Sequence, residues 1–397
     1  MRVSTLASYS NGLSALQRLQ AALDHSQRQI SSGKRLLTPS DDPIAAARAL
    51  DLRERLSRVQ QFDRNIVVAQ NRLRDEEAAL SNVNNILQRV RELALQANNS
   101  TINNESRQLI ATEMRQNLDQ LVDLANATNG TGEFLFSGNS TNTLPVSAGA
   151  GGFAYNGDQG GRLIAIGDSR EITDGDSGDD VFFRIRAGNG TFVVGAAAAN
   201  TGTGVVGQSS VVDSSQYDTA PYDIVFVTPT DYEVRDAASA VIASGTYQPG
   251  DTIGFRGIDV AISGAPEAGD QFAVTPSPFQ SVFESVSQLV GAVETTVTDD
   301  ASRAVMSNGV NQGLANLDQA IGNILDVQTR IGSRLSAIDT QIVDNETSSL
   351  TVQEALGALE DLDYAEALSR LTQQATTLEA AQKSFVATQR LLLFNFI

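Results

Sequence analysis

Apolar positions follow one period at the two ends of this chain and another in its middle. Near the N-terminus Tyr9, Leu16, Leu23 and Ile30 recur every seventh residue, interleaved with Leu6, Leu13, Gln20 and Gln27. The last segment repeats the pattern with Tyr364, Leu371, Leu378, Phe385 and Leu392, interleaved with Leu368, Ala375, Gln382 and Gln389. A seven-residue repeat with a second inward position between its members marks a coiled-coil seam, and glutamines inside such a seam select register and partner at some cost in stability. The spacing predicts a helix over 4–31, ended by Ser31-Ser32-Gly33, where glycine can supply a left-handed cap. It predicts a second over about 348–397. The nine seven-spaced residues are the candidate assembly interface; an intramolecular helix bundle is the alternative, but heptads at both chain ends, each with paired glutamines, favour packing between subunits.

Between these ends the chain first stays helical. Thr38-Pro39-Ser40-Asp41-Asp42-Pro43 is a restart signal, with cap oxygens on Ser40, Asp41 and Asp42 and a proline suited to the first helical turn. No glycine occurs in 34–128 and no proline in 44–144, so the helix that starts here can run to about Asn98, roughly 85 Å at 1.5 Å per residue. Its seam is Leu52, Val59, Ile66, Leu73, Leu80, Leu87 and Ala94, joined by Val83, Val90 and Ala97. A polar cluster at 98–104 turns the chain, and Ile110, Met114, Leu118, Leu121 and Ala125 mark a returning helix to about Thr128.

From Asn129 the pattern changes to short apolar or alternating runs between Gly, Asn, Asp, Ser and Thr. Strands are predicted over 162–166, 181–186, 191–194, 223–228, 232–236, 241–247, 253–263 and 271–275, spaced by turns as in a β-sandwich or barrel-like module. The small-residue stretches 148–152 and 196–207 read as mobile loops. After Pro276-Ser277-Pro278 helix resumes over 279–297. A longer one follows with Val310, Leu314, Leu317, Ile321, Ile324, Ile331, Leu335, Ile338 and Ile342 in its seam, together with Gln328.

The fold class this implies is α+β: long N- and C-terminal helices packed as a coiled-coil-like bundle with an inserted all-β module. Three domains are expected, a terminal coiled-coil domain from 1–41 and 348–397, a helical bundle from 42–136 and 279–347, and a β-rich outer domain over 137–278.

Composition narrows the chemistry. The chain has no cysteine, no tryptophan and one histidine, His25, which removes thiol nucleophiles, disulfides and Cys/His zinc sites. Absence of cysteine also suits a chain bound for an oxidising exterior. The net charge of -19 is uneven: residues 1–100 hold 14 basic against 10 acidic side chains, residues 131–280 hold 6 against 18. That argues against nucleic acid, whose phosphates need a clustered positive face. Arg48, Arg53, Arg55, Arg58, Arg64, Arg72 and Arg74 alternate with carboxylates and read as the solvated or pairing face of a helix. No apolar run is long enough to span a membrane, and the first twenty residues lack the apolar core of a secretory signal, so any export would use another route.

Candidate sites resolve into structural roles. Asp41 and Asp42 read as helix-start residues rather than an acid/base pair. Ser32-Gly33-Lys34-Arg35 superficially matches a phosphate loop, but Arg28 stands where a glycine is required. The acidic stretch 174–180 places Asp179 and Ile185 where a calcium loop needs glycine and glutamate, and is expected to be an acidic surface loop. His25 is expected at a solvated or interface position. No cofactor, metal or catalytic constellation is expected.

Ile30-Ser31-Ser32-Gly33-Lys34-Arg35-Leu36, Pro39-Ser40-Asp41-Asp42-Pro43 and Asn85-Ile86-Leu87-Gln88-Arg89-Val90-Arg91-Glu92-Leu93-Ala94 resemble the N-terminal region of bacterial flagellins and their relatives. Leu362-Asp363-Tyr364-Ala365-Glu366-Ala367-Leu368-Ser369 and the ending Leu393-Phe394-Asn395-Phe396-Ile397 are more similar to the hook–filament junction proteins of that superfamily. The resemblance covers most of 1–135 and 279–397. Residues 222–227, 243–247 and 268–274 are similar to a strand module of hook-associated proteins.

This resemblance implies a structural flagellar subunit, exported by the flagellar type III apparatus, that forms a homo-oligomeric ring and joins hook to filament. Its implied partners are hook-associated protein 1, flagellin and an export chaperone that covers the apolar C-terminal tail; the alternative is a flagellin that forms the filament itself. Arg89, Leu93 and Glu113 also correspond to a flagellin stretch that an innate-immune receptor recognises, although subunit packing is the preferred reading of these residues.

Overall fold

The computed structural model describes residues 5–149 and 151–394. The chain divides into two compact units, Met1–Arg64 with Thr340–Ile397, and Asn65–Asp339. Its helices are α1 (Thr5–Ser32), α2 (Pro43–Ala97), α3 (Asn104–Ala125), α4 (Val282–Val293), α5 (Asp300–Glu360) and α6 (Tyr364–Phe394).

The predicted punctuation of the first two helices is present. Gly33 ends α1 at φ 70°. The two aspartates of the restart signal divide the work: Asp42 Oδ1 accepts the Ala45 amide at 3.0 Å as the cap of α2, while Asp41 Oδ2 accepts the amides of Leu37 and Thr38, both at 2.9 Å. Those amides, Thr38 foremost, hold the Asp41 carboxyl below its ordinary range. The α2 seam from Val59 to Ala97 is buried at every predicted position.

One helix boundary differs from expectation. The last helix does not start near residue 348; α5 runs unbroken to Glu360. The Thr347 and Thr351 hydroxyls bond back to the carbonyls of Val343 and Thr347, so these cap-forming residues are consumed inside the helix. The break falls at 361–363, where Asp363 Oδ1 accepts the amides of Ala365 and Glu366 and starts α6.

Within the unit Asn65–Asp339, α2 and α5 run antiparallel, held by Arg91 to Asp318 at 2.9 Å and Ser307 to Asn98 at 3.0 Å. Helix α4 packs on α3 and begins later than predicted. Ser281 caps it, and the residues before it extend into a strand.

The strands are β1 (Val146–Gly149), β2 (Gly152–Tyr155), β3 (Leu163–Gly167), β4 (Arg170–Thr173), β5 (Ile185–Arg186), β6 (Phe192–Ala196), β7 (Val205–Val206), β8 (Ser210–Val211), β9 (Tyr222–Thr228), β10 (Asp231–Asp236), β11 (Val241–Thr246), β12 (Thr252–Phe255), β13 (Ile258–Ser263), β14 (Gln271–Pro276) and β15 (Phe279–Gln280). An antiparallel sheet in the order β11-β10-β9-β14-β6 shares one core with β12-β13-β7, whose β13 also pairs β8. Phe192, Tyr222, Phe226, Tyr247, Phe255 and Phe272 fill that core. The Tyr247 hydroxyl is satisfied by the carbonyls of Ile262 and Gly264. The inserted all-β module is thus present as two sheets around one interior.

Four local expectations are corrected. Residues 253–263 are two strands, because Arg256 and Gly257 at φ 46° and 75° turn the chain into the β12–β13 hairpin. Residues 181–186 are a strand only at their end. Val181 and Phe182 are both fully buried, which successive residues of a one-sided strand cannot be, and Asp179–Phe183 coils as a π-helical turn with the Arg184 amide on the Asp179 carbonyl. Within the small-residue stretch 148–152, Ala148, Gly149 and Gly152 belong to the paired strands β1 and β2. The stretch 196–207 is pinned, since the buried Asp270 carboxylate accepts the amides of Thr201 and Gly202, and Val205–Val206 joins the second sheet.

The acidic stretch 174–180 is likewise not a free surface loop. Asp174 and Asp176 are taken up by arginines: Arg162 and Arg72 reach Asp174, while Arg334 grips Asp176 through two bonds of 2.7 and 3.0 Å. Arg72 departs from the solvated face predicted for its neighbours. Its side chain is 5% exposed and donates to the carbonyls of Phe134 and Leu135, each at 3.0 Å. Beside it lies Glu76, 1% exposed, which accepts the Asp176 amide at 3.1 Å.

Candidate assembly interface

Helices α1 and α6 lie against each other in the terminal unit. The Tyr9 and Phe385 rings stand 5.6 Å apart at one end of the pair, and the Tyr364 hydroxyl sits against Gly33 at the other. These two contacts make the pair antiparallel, and counting by sevens between them sets Leu16 near the level of Leu378 and Leu23 near that of Leu371. Leu16, Leu23, Ile30, Leu371, Leu378 and Phe385 are half-buried, while Tyr9 and Tyr364 are 49% and 52% exposed. The side chains of Leu6, Gln389, Leu392 and the rest of the apolar stretch 391–394, and residues 395–397 altogether, lie outside what the structure describes.

The interleaved positions are corrected by one residue. Leu13, Gln20 and Gln27 of α1 and Leu368, Ala375 and Gln382 of α6 are exposed. The seam is completed three residues after each repeat rather than four, by Gly12, Leu19 and Ser26 on one helix and by Ala367, Gln374 and Ala381 on the other. Gly12 is required by close approach: a Cβ there would stand 2.7 Å from the Phe385 ring. Small residues at four of these six positions, Gly12, Ser26, Ala367 and Ala381, let the helices meet closely there, while the larger Leu13 and Leu368 are exposed. Alternating small residues were the signal available in the sequence; apolarity alone favoured the leucines.

A second element of the site was not anticipated. The α1–α2 and α5–α6 corners lock together around Glu360. The Arg35 amide donates to the Glu360 carbonyl at 2.6 Å, and the Leu362 amide to the Gly33 carbonyl at 3.0 Å. The Glu360 carboxylate, 7% exposed, meets Lys34 Nζ at 3.0 Å and Arg53 Nη2 at 2.5 Å. Burial pushes this carboxyl up, but Lys34 and Arg53 together outweigh it and hold it below its ordinary value of 4.5. A depressed carboxyl stabilises the fold above its unfolded value and loses that contribution as pH falls through the folded one. The corner is therefore expected to loosen below about pH 4.5, read as faster hydrogen exchange of the Arg35 and Leu362 amides, and Glu360→Gln should remove the pH dependence. His25, a third exposed, lies 4.0 Å from Asp41 at the same corner.

The remaining candidate residues belong to the other unit. Arg89 pairs with Glu113 at 2.7 Å on the surface, with Glu92 beside it, whereas Leu93 is 1% exposed.

The terminal unit is distinguished by how little it buries. Among its described residues the buried apolar side chains are Ala45, Ala49, Val59, Val352 and Ala367, none larger than valine. Ile44, Leu50, Val343 and Leu350 are each more than half exposed. Such a surface is characteristic of a unit completed by association.

Comparison with known proteins places this arrangement. Residues 3–141 match the family model of the bacterial flagellin N-terminal helical region, residues 314–397 that of the C-terminal helical region, and residues 196–276 that of the D2-like domain of flagellar hook-associated protein 1. Flagellar hook-associated protein 3 of Escherichia coli K12 is 24% identical over 395 residues, covering 100% of this chain and 99% of that protein. The crystal structure of FlgL from Xanthomonas campestris is 33% identical at a TM-score of 0.73, covering 77% of this chain and 99% of that one. The flagellar junction protein FlgL from Legionella pneumophila is 32% identical at 0.72, covering 79% and 100%. With flagellin-type helices at both ends, a hook-associated strand module between them and identity above 30% across the whole of solved relatives, the chain belongs to the FlgL family, that of flagellar hook-associated protein 3.

Proposed function

We propose that the chain is the structural subunit joining hook to filament in a bacterial flagellum, a mechanical adaptor and not an enzyme. The observation that carries this reading is the terminal unit, whose paired helices use one side of each seam on each other and leave Leu13, Gln20, Leu368 and Gln382 exposed for neighbouring copies. Residues 1–41 and 348–397 form the inner tube of a homo-oligomeric ring, residues 42–136 and 279–347 a surrounding layer, and 137–278 the outward module. Hook-associated protein 1 lies on the hook side and flagellin on the filament side. The chain reaches this place by type III export, accompanied by a chaperone at its C-terminal region, and acts outside the cell. Arg89 and Glu113 serve subunit packing in this reading, with Leu93 as a core residue beneath them.

Deletion of the gene followed by electron microscopy tests the assignment. Bare hooks with monomeric flagellin shed into the medium are expected. Normal filaments on the deletion strain would overturn it. Absence of filament without shed flagellin would favour the chain being flagellin itself.

A further inference from the structure

The short ribbon of β5 and β15 sets Phe279 directly opposite Arg186. Ile185, between the two arginines, is buried, while Arg184, Arg186 and Phe279 face outward, Phe279 with 53% exposure. The guanidinium carbons of Arg184 and Arg186 stand 5.6 and 4.2 Å from the centre of the Phe279 ring. Arg184 has Asp180 at 3.7 Å. Arg186 donates to the Ser277 carbonyl at 2.8 Å and, among the described residues, has no carboxylate within 4.0 Å.

This placement is uneconomical for a lone molecule. Residues 131–280 hold only 6 basic side chains against 18 acidic ones, yet two of the six converge on one exposed ring. Arginine stacked on an aromatic face keeps its N–H edges free for a carboxylate, and the pair becomes stronger when a partner removes water from it. Exposed aromatic and arginine side chains together are the composition of an interface centre.

We propose that Arg184, Arg186 and Phe279 form a docking platform for a carboxylate-bearing face of a second copy of this chain. The proposal rests on the assembly reading above. In a ring of identical subunits each contact joins two different patches of the same molecule, so the surface that receives this platform is supplied by the chain itself. With a net charge of -19, the chain carries an excess of carboxylates from which a face complementary to the two arginines can be drawn.

The test uses the full chain assembled in flagella, with the photo-reactive residue p-benzoylphenylalanine in place of Phe279 and, in a parallel strain, in place of Leu13. Irradiation is expected to give a two-copy adduct from each position. The second attachment point of the Phe279 adduct should map to a segment with at least two carboxylates. Combining Arg184→Glu with Arg186→Glu should lower that adduct about tenfold and leave the Leu13 adduct in place. Arg184→Glu alone, which keeps the bond from Arg186 to Ser277, should lower it as well. A Leu13 adduct without a Phe279 one, a Phe279 adduct to another protein, or one indifferent to charge reversal would sink the docking proposal and leave the assembly reading standing. Absence of two-copy adducts at both positions would overturn the two together.

Discussion

Replacing Leu378 and Phe385 together by glutamate is expected to abolish assembly while the strand module stays folded. Both side chains sit half-buried against α1, Phe385 beside Tyr9 and Gly12. A carboxylate at either level must lose water or push the helices apart, and helices in proteins draw most of their stability from the packed face that such a change disrupts. The helical signal of α1 and α6, 28 and 31 residues long, should therefore fall in far-ultraviolet circular dichroism. The core around Phe226 and Tyr247 lies in the other unit and should keep its melting transition. The informative contrast is Leu13→Glu with Leu368→Glu. These residues are 40% and 51% exposed, so that variant should keep full helix content and a stability within about 0.5 kcal/mol of the parent, yet incorporate poorly. Normal incorporation of the second variant would mean that the outward edge of the pair contacts no neighbour.

Arg72→Leu should be the most destabilising single substitution in the unit Asn65–Asp339. The guanidinium donates to two main-chain carbonyls and stands between Glu133 and Asp174, and its removal takes the side-chain donor from the Phe134 and Leu135 carbonyls and leaves Asp174 with Arg162 alone. Breaking a buried charged network in this way costs about 3–5 kcal/mol, or roughly 10 °C in melting temperature for a unit of this size. Chemical denaturation should show the loss. Glu76, one helical turn away, should behave in the opposite manner. Burial first, and then the neighbouring Asp176, push its carboxyl up to about 8 from an ordinary 4.5. The folded chain thus holds a proton that the unfolded chain releases, so this group makes stability fall as pH rises from about 4.5 to 8. Glu76→Gln should be nearly neutral at pH 7 and flatten the pH dependence of unfolding across that window. A large loss at pH 7 would mean that the carboxylate is ionised in the fold.

The parts of the fold legible in advance were those that one local rule decides. A long run free of glycine and proline, bounded by Gly33 and by Asp42-Pro43, has one low-energy outcome, and α1 and α2 have the predicted ends within a residue or so. Alternating runs such as 223–228 and 232–236 are similarly local. Failures came where two rules compete. Ser348 and Ser349 suggest a helix start when read alone, but hydroxyls can bond inside a helix as well as begin one. Val181-Phe182 scores as strand, but both side chains require burial.

What the amino-acid order determined by itself is the periodicity: which stretches coil, which extend, and which seven-spaced faces at the two ends are apolar. Only tertiary structure decided which neighbouring position completes each seam, because that choice depends on how closely two distant helices approach, and Gly12 and Ala367 outrank Leu13 and Leu368 only once α1 and α6 touch. The same holds for charge. Arg72, Glu76, Asp174 and Asp176 are indistinguishable in sequence from their solvated neighbours, and they become a buried network because segments about a hundred residues apart converge on one another in the folded chain. Periodicity is a property of adjacent residues, whereas burial is a property of what arrives from elsewhere.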